Sequence, residues 1–105
     1  MSGGVPSWWL ESAVQRVADV GESFEIPPPD VRASIEVGEI AKLLFWLDDG
    51  SGDGAVCERM WVEVTQQTQF GYVGKLANEP HMSGVIELDT LVAFSPDDVA
   101  AVWDY

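Results

Sequence analysis

Asp49, Ser51, Asp53 and Gly54 stand at the first, third, fifth and sixth positions of a calcium loop, a spacing that turns alternate oxygens towards one cation. Closing such a shell takes a bidentate carboxylate at the twelfth position and a helix on each flank. Met60 occupies the twelfth position and both flanks read as strands. The segment Asp48 to Gly54 is therefore expected to be an acidic glycine loop, with weak cation affinity at most. His81, the single histidine, follows Pro80 in a turn and lacks a second histidine or cysteine with which to build a zinc set. Cys57 lies two residues before Arg59, whose charge favours a thiolate, yet a lone cysteine also serves as a small apolar side chain. Ser7, Ser51, Thr65 and Ser83 lie outside any nucleophile-elbow context, and no glycine-rich phosphate loop enters a helix. Carboxylates are so frequent that no pair marks a glycosidase. The expectation is a protein with no catalytic residue, metal or cofactor.

The elements that position these residues are clearest between Glu58 and Pro80. Met60, Val62 and Val64 alternate with Trp61, Glu63 and Thr65, and Phe70, Tyr72, Gly74 and Leu76 alternate with Gly71, Val73 and Lys75. A period of two on both sides of a short polar stretch predicts a β-hairpin. Ile40 to Leu47 is apolar at nearly every position, which predicts a strand covered on both faces, with Lys42 reaching water from a barrel edge. Upstream, Ser7 reads as the cap of an amphipathic helix with Glu11 in its first turn and its end near Gly21. Trp9, Ala13 and Val17 form its apolar stripe, expected to face the core and cover the apolar strand.

Glu22 to Ile26 reads as a short extended piece that Pro27, Pro28 and Pro29 must end, because prolines offer no N–H. The triplet makes a rigid corner, after which Asp30 can cap one helical turn through Ser34. Ile35 to Ala41 and Ile86 to Val92 resemble each other, each an apolar residue, a tight turn and a return to apolar strand. Leu91 to Phe94 reads as a closing strand. Ser95, Pro96 and Asp98 then supply the cap, first-turn proline and third-position acid of a short C-terminal helix packed through Val99, Val102 and Trp103.

At 105 residues the chain suits one domain, 1–105, with 1–21 a helical addition to a mainly β part, 22–105. The 18 acidic residues outnumber Arg16, Arg32, Lys42, Arg59 and Lys75 and give a net charge of -13, a field that repels phosphate backbones and anionic lipid. Nucleic acid and membrane are therefore not expected as partners. One cysteine allows no internal disulfide. No basic n-region, apolar h-region or long apolar run is found, so a soluble cytoplasmic protein is expected.

Five stretches follow in order: Phe24-Glu25-Ile26-Pro27, Ile35-Glu36-Val37-Gly38-Glu39, Lys42-Leu43-Leu44-Phe45, Glu58-Arg59-Met60-Trp61-Val62-Glu63-Val64 and Tyr72-Val73-Gly74-Lys75-Leu76-Ala77-Asn78-Glu79-Pro80. Together they resemble the bacterial YegJ-like family, domain of unknown function 2314, over residues 22–102. The most specific parts are E-R-M-W-V and G-K-L-x-N-x-P. Asp89-Thr90 departs from the family's Gly-Asp, and the N-terminal helix lies outside the similar region. The resemblance implies a small, mainly β intracellular domain and brings no catalytic residue or cofactor.

The expected fold is α+β: a small SH3-like, strongly bent antiparallel sheet or partial barrel of about five strands, with an N-terminal amphipathic helix and a short C-terminal helix. The expected function is a non-enzymatic protein-binding module whose surface joins Arg59, Trp61, Tyr72, Lys75, Asn78 and Pro80. In the competing reading, Trp61 and Tyr72 are core aromatics and Asn78 to Pro80 is turn chemistry. The alternative function is an acidic immunity or inhibitor protein that neutralises a basic toxin or nuclease, for which net charge favours a basic partner. Five tryptophans in a short chain also suit a homodimer.

Overall fold

The computed structural model describes residues 4–21 and 25–103. In chain order they form β1 (Ser7–Glu11), α1 (Ala13–Val20), α2 (Pro29–Arg32), β2 (Ile40–Asp48), β3 (Val56–Thr68), β4 (Gly71–Leu76), β5 (Leu91–Phe94), a 3-10 turn (Pro96–Asp98) and β6 (Val99–Val102). The strands make one antiparallel sheet in the order β1-β2-β3-β4-β5, curled into a half-barrel, with β6 also on β2. Among the described residues no helix is long and apolar enough to cross a membrane.

Strand β2 organises the sheet because both of its edges are used. β3 pairs along one edge, from Ile40 opposite Glu63 to Leu47 opposite Val56. The other edge is divided: β1 takes Leu44 to Asp48 and β6 takes Ala41 to Leu43, with a bulge between Lys42 and Leu43. This division corrects two expectations. Ser7 to Glu11 is a strand, and the helix starts at Ala13, where Ser12 caps it by accepting from the Gln15 N–H at 3.2 Å. Gly21 ends the helix as expected, with φ 75° and its N–H on the Val17 carbonyl. At the other end Ser95 accepts from the Asp98 N–H and the Asp98 carboxylate from the Ser95 N–H, but only a 3-10 turn follows. Val99 to Val102 leave that turn as a strand because half of an edge of β2 is open to them.

The inner face holds the main core: Leu43, Phe45 and Leu47 of β2, Met60, Val62 and Val64 of β3, Leu76, Val92, Val99 and Val102, with Ile35 and Ile86 from the loops. Each such side chain contributes roughly 1.5 to 3 kcal/mol by leaving water. Trp8 and Leu10 pack against it from β1, with the Trp8 ring 5.7 Å from Phe45. Trp9 points the other way and is 47% exposed, which corrects its expected core placement. Leu44 is buried on the outer face in a second cluster with Ala13 and Ala100, against which Cys57 and Ile26 are partly buried. Helix α1 is thus the expected cover, at this one point.

The predicted hairpin is β3 and β4, closed at Thr68 opposite Gly71. Phe70 sits in the two-residue loop at 81% exposure and is not a strand residue. A bulge at Thr65 breaks the alternation of β3, so the residues beyond it are solvated. Gly71 is required by approach: a Cβ there would overlap the Phe94 carbonyl oxygen of β5.

The two similar stretches are a repeated turn. Gly38 and Glu39 exchange backbone bonds with Val64 at 2.8 and 2.9 Å, and Asp89 and Thr90 do the same with Leu76 at 2.9 and 2.9 Å. Gly38 has φ 95° and Asp89 φ 67°, so an aspartate occupies the left-handed position that glycine fills in the first copy. Of the expected extended piece, Glu22, Ser23 and Phe24 lie outside the described residues, and Glu25 and Ile26 are not in a strand. The turn after the prolines begins at Pro29 with Pro28 in the cap position, and Asp30 lies in its first turn instead of capping it.

Candidate functional site

The outer face of the sheet divides into two halves. In the covered half, Arg16 of α1 donates to both Glu11 carboxylate oxygens, at 2.5 and 2.6 Å, and approaches the Cys57 sulfur at 3.7 Å. Trp46, opposite Trp9 and Cys57 in the register, donates its indole N–H to Glu11 at 2.8 Å. The Arg16 hydrogen bonds hold the Glu11 carboxyl below the usual glutamate value, against the opposing effect of burial, and in turn Glu11 raises Arg16. Helix, carboxylate and guanidinium cover this half as far as Trp9, which stays exposed on β1.

The other half is open among the described residues. Along β3 the outward residues are Arg59, Trp61 and Glu63; Leu44, Lys42 and Ile40 stand opposite them on β2. On the far side Lys75 is opposite Glu63, and Leu91 is opposite Lys75. The Lys42 ammonium lies 4.7 Å over the Trp61 ring, and Trp103 meets the same ring edge-on at 5.2 Å and 74°. Lys42 therefore lies within the sheet, between Trp61 and Ala101, and not at the expected edge. Trp103 is 55% exposed and Leu91 67%. No salt bridge holds Lys42 or Lys75 among the described residues, whereas Arg16 pairs with Glu11 and Arg32 with Asp97.

Of the six expected site residues, Arg59, Trp61 and Lys75 share this face. Tyr72 does not. It is 4% exposed, its ring lies 5.2 Å from Phe94, and its hydroxyl donates to the Arg32 carbonyl at 2.7 Å and accepts from the Ile35 N–H at 3.2 Å. Arg32, 7% exposed, continues that structural network by donating to the Pro27 and Pro96 carbonyls at 2.9 and 3.1 Å. Asn78 and Pro80 follow β4; Pro80 lines the cleft beside Ile86, and Asn78 is held for the fold, its side-chain oxygen accepting from the Trp61 N–H at 2.6 Å. The Glu58 carboxylate accepts from the N–H groups of His81 and Met82 at 2.8 and 2.9 Å and straps the same turn onto β3. Lys42, Trp103 and Leu91 belong to the face and were not among the expected residues. Lys42 was legible as the one charge inside an apolar strand.

Elsewhere the chemistry is local. In the acidic loop Asp48 accepts from the Gly50 N–H and Asp49 from the Ser51 N–H, both at 2.9 Å, and the bonds to Ser51 lower the Asp49 carboxyl. Among the described residues no group of three His, Cys, Asp or Glu is placed to hold a metal ion. His81 is exposed, as its position after Pro80 suggests. Among the described residues, neither histidine nor cysteine lines three shallow clefts that measure about 350 Å³ beside Pro27 and Ala101, about 380 Å³ beside Pro80 and Ile86, and about 400 Å³ beside Phe70 and Pro96. No family model, curated protein or solved structure matches the chain.

Proposed function

We propose that the chain is a non-enzymatic protein-binding module built on an SH3-like partial barrel, and that the partner docks on the open half of the outer face. The observation that carries this reading is the pairing of Trp61 with Trp103 beside Lys42 and Lys75, where no helix or strand among the described residues lies over them. Partly exposed tryptophans among cations combine the residue types that dominate binding energy in protein interfaces. The SH3-like reading draws on the strand order β6-β2-β3-β4-β5 and on the 3-10 turn before the strand that returns to β2. The YegJ-like reading draws on the two most specific stretches, which hydrogen-bond to each other through Asn78 and Trp61.

The test is capture from the native host by immobilised wild-type chain and by a Trp103→Ala/Lys75→Glu variant, with bound proteins identified by mass spectrometry. A protein retained by the wild type and lost from a variant that remains folded at the capture temperature supports the reading. Equal retention by both overturns it.

A further inference from the structure

We infer that the open face takes an extended acidic segment of a partner protein, with an apolar or aromatic side chain between its carboxylates. This inference rests on the docking reading above and adds the chemistry of the occupant.

The charge distribution points that way against the net charge. Of the five basic residues in the chain, Arg16 and Arg32 hold the fold together through Glu11 and Asp97. Lys42 and Lys75 stand at outward positions of β2 and β4, on either side of Trp61 and Glu63 of β3, and no salt bridge holds either among the described residues. A chain of net charge -13 thus places both of its lysines on one surface. Its acids elsewhere act at a distance and are screened beyond about 8 Å at physiological salt, whereas contacts made on the face are not.

The aromatic geometry narrows the occupant further. The face of the Trp61 ring is already occupied by the Lys42 ammonium, so a cation from a partner finds that site filled. The corner between Trp61 and Trp103 is left for an apolar side chain, and the lysines for carboxylates on either side of it. Lys42 and Lys75 are two strands and two residues apart, which strand spacing puts at about 12 Å between backbones. Acids three or four positions apart on an extended segment span about the same distance.

The test is selection from a displayed library of random peptides about a dozen residues long, using the full chain as target, with affinities then measured for synthesised winners. Acidic peptides with an apolar residue between the acids are expected, weakened about tenfold by Lys42→Glu/Lys75→Glu. Broadening or shifts of the Trp61 and Trp103 indole N–H resonances on titration locate the contact. Winners that are basic or neutral yet still perturb those resonances overturn the acidic occupant and leave the docking face standing; basic winners would favour the acidic-inhibitor alternative. If every winner binds a Trp61→Ala/Trp103→Ala variant as well as the wild type, or if none is enriched, both the occupant and the docking face fall.

Discussion

The two halves of the outer sheet face share strands β2 and β3 and are treated in opposite ways. Over Leu44 the fold lays Ala13 and Ala100, and beside them it joins Arg16, Glu11 and Trp46 in one hydrogen-bonded set. Over Trp61 the described residues lay a lysine and the edge of Trp103. The difference separates side chains that hold the sheet together from side chains that the sheet displays. A fold needing only its own core would have little reason to leave two tryptophans and two lysines together on the uncovered half.

The comparison predicts unequal costs of substitution. Leu44→Ala removes a fully buried side chain from under the helix and should cost about 2 to 4 kcal/mol in urea unfolding, whereas Trp103→Ala should cost about 1 kcal/mol, the worth of one exposed ring pair. Equal losses would erase the distinction. Next in size is the Arg16–Glu11 pair, worth about 1 kcal/mol at its partly buried position. Because the folded Glu11 pKa lies below its ordinary value of 4.5, that contribution is complete above pH 4.5 and is lost as pH falls through the folded pKa. The wild type should therefore lose more stability on acidification than Glu11→Gln, as read by thermal midpoints at pH 7 and pH 3. The smallest effect is expected on the open half: Lys42→Gln gives up one exposed cation–π contact and should change stability by about 0.5 kcal/mol. A larger loss there would make Lys42 part of the fold's own bracing.

The hairpin was legible because alternation is local, and it had already put Tyr72 on the same parity as Leu76, a signal that it faces the core. What alternation could not supply was the set of partners for its hydroxyl on Arg32 and Ile35, far away in sequence. Ser7 to Glu11 and Val99 to Val102 were misread for a related reason. Trp9, Ala13 and Val17 fit a helical stripe while Trp8 and Leu10 fit a strand, and the decision lies with an edge of β2 some 35 residues on. The repeated turn was visible in the sequence, including the Asp89 that replaces glycine, since aspartate tolerates the left-handed region better than most residues. Of the candidate site, Arg59, Trp61 and Lys75 were readable from the hairpin, but Trp103 joins it only through a strand that had been read as a helix.

The most direct measurement is the dissociation constant of the host protein captured by the wild-type chain, determined again with the Trp103→Ala/Lys75→Glu variant at a temperature where both are fully folded. Docking on the open half predicts binding weaker by at least about tenfold. An unchanged constant would contradict it and return those side chains to the fold.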